Sequence, residues 1–435
     1  MILQHYRLPW PLFDSIAAGE GGAEAVGVLA AAQHSKHKLL LAGVLNAAQA
    51  ANPDQRRLAS RGYDLLADAQ DYDAVAADVV IRHSSVGAWA KRTLRALGGG
   101  PARPGAEPDV LCAIAAAAAI RAGLPAQIEV PVRNGSVMLP SLGAAAADGD
   151  RAVARSTSAR AWVDSAARRV EIPADPHLDA PGWKGLRRVS VGSFDALVDD
   201  LDPFRMPGVP DLAPRLEAGQ ADTWSAAFRQ AWPLLDTHHP VVAAEVAAAV
   251  KVIVPRRVPS RGVVSSSSAE TFGAVALSQP PDACTLAEIL SHEMQHLKLA
   301  ALQDVVMLTE PDDGRRFYAP WRDDPRPIAG LLQGAYAFLG ISGFWRRQRH
   351  HEQGAAEIQA HAAYARWRAA TSLAIETLSS SGRLTEAGTE FAQGMARTLS
   401  AWMAEPVPAE ARTLARQQEE RHRARWRSAH GPIPA

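Results

Sequence analysis

The strongest constraint on this chain is a short pattern, His292, Glu293, Met294, Gln295 and His296, which carries chemical meaning only on a helix. Positions i and i+4 share one helical face, so the two imidazoles can be offered to one metal ion, with Glu293 about 100° round from His292. The surrounding residues predict such a helix. Pro280-Pro281 precede it, Thr285 with Glu288 reads as a capping box, and Pro311 with Asp312, Asp313 and Gly314 closes it. Between these limits Leu286, Ile289, Leu290, Leu297, Ala301 and Val305 form an apolar stripe at helical spacing. The competing reading is a chance match on an ordinary amphipathic helix.

The chain has 435 residues, more than the roughly 250–300 at which a single core stops growing, so two or three domains are expected. With 47% hydrophobic and 21% charged residues it has the composition of a soluble globular protein. Lys+Arg and Asp+Glu balance at 46 each, so no global field favours nucleic acid or anionic lipid, and neither is expected as a partner. The two cysteines, Cys112 and Cys284, form no disulfide framework or zinc-finger spacing and fit a reducing cytoplasm. The first seven residues lack the pattern of an export signal, and the alanine-rich run 113–120 is too short to span a bilayer. The expected location is cytoplasmic.

The expected fold class is α+β and predominantly α-helical: a helical N-terminal region (1–100), a mixed α/β region with helices (106–250), and a zincin-like, mainly helical catalytic region with a few strands (251–435). A Gly- and Pro-rich linker is expected at 98–105. In the first region, His34-Ser35-Lys36-His37-Lys38 reads as a polar helix start or solvated face, and His83 before Ser84-Ser85 as equally bland. Next come a helix over 110–122 and strands over 127–132 and 136–140, joined as a hairpin by Asn134-Gly135. Further strands are expected at 161–163, 169–172 and 186–191, with a polar loop over 144–158. Helix returns over 214–250, interrupted at His238-His239-Pro240, where adjacent imidazoles diverge on most backbones. Strands follow at 251–255 and 271–278. The second lies directly ahead of the metal helix, as suits the edge on which zinc peptidases pair an extended substrate. Residues 315–327, with three prolines, three aromatics and four arginines, read as a functional loop. A helix over 328–349 and a helical remainder to 427 end in a charged run read as a solvated helix.

Three features bear on the chemistry of the metal. The extended peptidase signature is absent, because Leu299 and Leu302 hold its glycine and final histidine places. Lys298 is charged where peptidase helices usually continue apolar. A third protein ligand has several candidates, namely Glu310, Glu352, Glu357, His350, His351 and His361, and no context selects one. Two histidines suit non-haem Fe(II) oxygenases equally well, since these leave positions for a 2-oxoacid and dioxygen. Arg322 and Arg326, held by neighbouring prolines, then read either as a clamp for the co-substrate carboxylate or as a loop lock with Asp323 and Asp324.

Three stretches together carry a resemblance: His292-Glu293-Met294-Gln295-His296-Leu297-Lys298-Leu299, then Phe317-Tyr318-Ala319-Pro320-Trp321-Arg322-Asp323-Asp324-Pro325-Arg326-Pro327, then Leu331-Leu332-Gln333-Gly334-Ala335-Tyr336-Ala337. They resemble the HExxH-motif peptide-modification family, described as 2-oxoglutarate-dependent peptide β-hydroxylases encoded beside the precursor peptides of ribosomally made natural products, often with radical SAM partners. The resemblance implies Fe(II), 2-oxoglutarate, dioxygen and hydroxylation of an unactivated β-carbon in a peptide side chain. On that reading His292 and His296 bind iron, and Glu293 orients a water on the metal or ligates. Arg322 or Arg326 takes the co-substrate, and Tyr318, Trp321 and Tyr336 shape the pocket. One departure stands out. Many relatives have histidine where this chain has Phe338, so the third ligand comes from Glu352 or Glu357, or the site runs on two histidines, or the member is impaired. Two other readings remain open: a zinc (Zn) metallopeptidase with Glu293 as general base, and a peptide-binding scaffold, which Phe338 favours.

Overall fold

The computed structural model describes residues 6–101 and 104–433. Residues 1–5, read above for an export signal, and Ala102 and Arg103 of the expected linker lie outside them. The protein is 55% helix and 14% strand, so the α+β, mainly helical class holds.

The helices are α1 (Trp10–Ala17), α2 (Gly22–Ala47), α3 (Pro53–Tyr72), α4 (Ala74–Ile81), α5 (Ser84–Leu97), α6 (Leu111–Ala122) and α7 (Ala218–His238). They continue with α8 (Pro240–Ala249), α9 (Ala283–Gln303), α10 (Ile328–Gln348), α11 (Ala355–Ser380), α12 (Glu386–Met403) and α13 (Ala409–His430). The strands are β1 (Ala126–Pro131), β2 (Ser136–Leu139), β3 (Gly143–Ala146), β4 (Arg151–Ser156), β5 (Ala161–Asp164) and β6 (Arg169–Ile172). After them come β7 (Trp183–Gly185), β8 (Arg187–Val191), β9 (Phe194–Val198), β10 (Val252–Arg256), β11 (Ser265–Ser266) and β12 (Ala274–Ser278).

The chain folds into two compact units, both discontinuous in sequence. One takes the chain up to residue 30, then 227–249, then everything from 281 on; the other takes 31–226 and 250–280. The boundary expected near residue 100 is not a division of the structure. Helix α6 explains why. Its alanines from Ala113 to Ala119 are buried on all sides, and their small size lets neighbouring backbone close in. Where α3 meets it, a Cβ on Gly62 would stand 2.8 Å from the backbone of Leu111 and Cys112. The early helices and the β region therefore share one core around α6.

Within this second unit the sheets run β1-β4-β5-β6, β2-β3-β7 and β11-β12-β10-β9-β8. The expected hairpin at Asn134-Gly135 is half right. Both residues take positive φ, 50° and 72°, as such a turn needs. Yet β1 leaves to pair with β4 and β2 with β3, so only the Arg133–Ser136 bridge joins the two sides of the turn. The loop expected over 144–158 instead contributes to β3 and β4. Strand β12 is flanked by β10 on one side and β11 on the other, so the free edge expected ahead of the metal helix is absent. It also belongs to a different unit from that helix.

In the first unit α9 and α10 form the centre. Helix α9 begins at Asp282, whose carboxylate accepts the amide of Thr285 at 2.7 Å, so the cap lies three residues before the one the sequence suggested. Helix α10 crosses it closely at Gly340, where a Cβ would lie 2.5 Å from Gln295 Cγ. Helix α10 is long and apolar enough to cross a membrane, yet 61% of its apolar window is buried, as in a core helix. The charged run in α13 is solvated on one face only, for Ala411, Ala415, His422 and Trp426 are buried.

Candidate metal centre

Helix α9 presents His292 and His296 from one face, and their Nε2 atoms stand 3.2 Å apart. Two imidazole nitrogens on a metal, each at about 2.05 Å, would be separated by about 2.9 Å at a right angle and about 3.4 Å at a tetrahedral one. The pair therefore fits a shared cation. His296 Nδ1 donates to Gln333 Oε1 at 3.1 Å, and Gln333 Nε2 donates in turn to Gln303 Oε1 at 2.7 Å. That chain fixes the His296 proton on Nδ1 and leaves the Nε2 lone pair for the metal side. Burial, and then the neighbouring His296, hold His292 well below the usual histidine range, so it too is a neutral donor. Glu293 is buried, 1% exposed.

The rest of the site is an aromatic wall. The Phe338 ring meets His292 edge-on at 5.4 Å, stacks on Trp321 at 4.6 Å, and tilts against Trp367 at 4.6 Å. Trp321 sits where it does because Gly334 has no side chain: a Cβ there would lie 2.4 Å from the indole Nε1. The position at which the resemblance implies a third histidine thus adjoins His292, and it holds a hydrocarbon.

Other expected residues are employed elsewhere in the same unit. Arg322 Nε and Arg326 Nη1 donate to the two oxygens of Asp324, at 2.6 and 3.1 Å. Burial raises the Asp324 carboxyl, but these hydrogen bonds outweigh it and hold it low. A backbone bridge between Phe317 and Arg326 closes the same loop. The loop-lock reading describes this geometry, with Asp324 rather than Asp323 as the shared partner. The Tyr318 hydroxyl lies 2.8 Å from His422 Nδ1 and donates to Glu419 at 3.1 Å. The Tyr336 hydroxyl is buried and donates to the Ile16 carbonyl at 2.6 Å. Both tyrosines thus pin helices, whereas Trp321 lines the wall.

Of the candidate third ligands, Glu352 accepts from Gln348 Nε2 at 2.7 Å and from Cys284, near the start of α9. His351 stacks on His238 at 3.7 Å, and His361 packs edge-on to His350 at 6.0 Å. Among the described residues, one group of three His, Cys, Asp or Glu side chains has its ligand atoms within 4.8 Å of one another, and it does not include His292 or His296. It is His83, Asp199 and Asp202 in the other unit.

This cluster corrects the bland reading of His83, which is buried at 5% exposure. Burial pulls His83 down to about 4 and pushes Asp199 and Asp202 up to about 6. No local signal could have found it, because its aspartates come from a distant turn after β9. The 34–38 segment needs a similar correction: it lies in the middle of α2, with His34 and His37 buried. Compared with known proteins, the chain matches no family model and no curated protein.

Proposed function

We propose that the chain is a metal-dependent peptide-modifying enzyme in which His292 and His296 hold Fe(II), and that it hydroxylates a β-carbon in a ribosomally made precursor peptide with 2-oxoglutarate and dioxygen. The observation that carries the metal is the 3.2 Å approach of the two Nε2 atoms, with Gln333 fixing the His296 tautomer. The chemistry rests on the resemblance in the three motif stretches. Bound iron with a 2-oxoacid supplies the oxidising power: one oxygen atom enters a peptide C–H bond, the other enters succinate, and carbon dioxide leaves.

The chain's own residues have distinct parts. His292 and His296 offer neutral nitrogens and hold the ion against α9. Phe338, Trp321 and Trp367 present an apolar face beside His292 that excludes water and suits an aliphatic side chain. Glu293, buried next to the pair, can accept a hydrogen bond from a metal-side water or contribute a carboxylate. Arg322 and Arg326 face Asp324, so a co-substrate carboxylate would have to displace Asp324 to reach them. The zinc peptidase reading fares worse on one count: the strand before the helix has no free edge on which to pair a substrate backbone. We place the protein in the cytoplasm with its precursor peptide, beside any radical SAM maturase of the same pathway.

The test is to incubate anaerobically purified protein with Fe(II), 2-oxoglutarate, air and the precursor peptide, and to read peptide mass and succinate. Gain of one oxygen with matching succinate supports the proposal. Zinc-supported fragments would establish the peptidase instead, and an unmodified peptide that co-elutes with the protein would establish the scaffold.

A further inference from the structure

The buried cluster in the second unit has the composition of a site and no other evident employment. Its ligand atoms, one each from His83, Asp199 and Asp202, lie within 4.8 Å of one another, and all three side chains are at most 5% exposed. His83 Nε2 and Asp199 Oδ2 are buried without a hydrogen-bond partner. Buried polar atoms are satisfied in the great majority of cases, so two orphans in one cluster call for an occupant.

The other polar atom of each of these side chains is already engaged within the protein. His83 Nδ1 donates to Ser85 Oγ at 2.8 Å, and the Ser85 hydroxyl hydrogen-bonds the Asp202 carboxylate. That fixes the His83 proton on Nδ1 and its lone pair on Nε2. Asp199 Oδ1 accepts the amides of Leu201 at 3.1 Å and Asp202 at 2.9 Å, and Asp202 Oδ1 accepts the amide of Phe204 at 2.7 Å. Outer-shell support of this kind is what metal-binding imidazoles and carboxylates have.

Charge points the same way. Among the described residues no lysine or arginine forms an ion pair within 4.0 Å of either carboxylate; the nearby Arg205 donates instead to the Asp202 carbonyl at 2.7 Å and the Ala213 carbonyl at 3.2 Å. Two carboxylates so deeply buried need positive charge, and a dication between them supplies it in full. Asp202 and Ser85 also line a cavity of about 640 Å³ whose walls include Trp89, Met138, Trp183 and Phe204, so the cluster borders this cavity through Asp202.

We propose that His83, Asp199 and Asp202 bind a first-row divalent cation such as Mn(II), Fe(II) or Zn(II). One imidazole nitrogen with two carboxylate oxygens is a donor set that these ions accept. The site is independent of the His292–His296 pair and stands whether or not that pair holds iron.

The test uses the full-length His292→Ala/His296→Ala variant, so that only the second site remains, and titrates it with Co(II) and Mn(II). One equivalent should bind, and adding His83→Gln or Asp199→Asn should weaken binding by at least about tenfold, with circular dichroism confirming that each variant is folded. In crystals of the unaltered protein soaked in Mn(II), an anomalous peak should lie among the three side chains, which keeps the test valid if a variant fails to fold. Overturning results are no binding below millimolar concentration in the double variant, binding unchanged by His83→Gln, or an anomalous map with no peak at the cluster.

Discussion

His296 Nδ1 donates to Gln333 Oε1 at 3.1 Å, so a residue of α10 sets the tautomer of a residue on α9. Removing that acceptor frees the His296 ring to turn and to move its proton. Gln333→Leu should therefore weaken metal binding at the His292–His296 pair by about 10–100-fold while leaving the fold intact. Isothermal titration with Zn(II) in a His83→Gln background, where the second cluster is disabled, measures the change. An affinity equal to that of the parent would mean that Gln333 has no part in orienting the ligand.

Phe338 stands about as close to His292, ring centre to ring centre, as His296 does: 5.4 against 4.7 Å. Phe338→His should place a third imidazole within reach of the same ion and tighten binding by about tenfold or more, since three protein donors are usual at catalytic sites. It should also cost stability through lost stacking on Trp321 and Trp367, on the order of 1–3 kcal/mol. The Co(II) absorption spectrum reports the added nitrogen directly. A folded variant with an unchanged spectrum would sink the idea that position 338 faces the metal.

These two positions show how far the sequence could be read. The helix that carries His292 and His296 was legible, because its stripe from Leu286 to Ala301 is local and periodic. Its cap was misplaced because Asp282 and Thr285 are both good capping residues and only the backbone decides between them. The turn at Asn134-Gly135 was legible, but its strand partners were not, since β1 and β2 choose neighbours by long-range burial. Lys298 looked anomalous on an apolar face until its partner, Glu245, came from a separate stretch of chain. His83 looked unremarkable for the same reason. Pairings between distant segments leave no periodic trace, and both the buried charge pair and the second metal cluster are pairings of that kind.

Lys298 Nζ lies 2.9 and 2.8 Å from the two oxygens of Glu245 and also donates to the carbonyls of Gly19 and Glu20. Both side chains are buried, at 0% and 2% exposure. Removing one partner leaves the other charge uncompensated, so Lys298→Met and Glu245→Gln should each destabilise the first unit by about 3–5 kcal/mol. Replacing both with apolar residues should recover much of that loss, because no buried charge then remains. Urea unfolding followed by circular dichroism gives the cycle. Single variants within about 1 kcal/mol of the parent would show that the pair is not a fastening.

His37 links stability to pH in the second unit. It is buried, its Nδ1 donates to the Ile81 carbonyl at 2.7 Å, and burial pulls its pKa down to about 4 against the opposing effect of that hydrogen bond. Lys36, His83 and Arg82 push it further in the same direction as burial. In the unfolded chain the ring titrates near 6.5, so between the two values the unfolded state binds the extra proton. The stability His37 contributes is therefore complete above pH 6.5 and is lost as pH falls from there toward 4, by on the order of 2 kcal/mol at pH 5. Asp199 and Asp202, raised to about 6, gain protons in the folded state over part of this range and act in the opposite sense. The comparison that isolates His37 is thus the difference in unfolding free energy between pH 7 and pH 5, measured in the parent and in His37→Leu. The parent should lose about 2 kcal/mol more than the variant over that interval, even though the variant is less stable at both pH values. Parallel pH profiles would show that His37 is not held neutral by the fold.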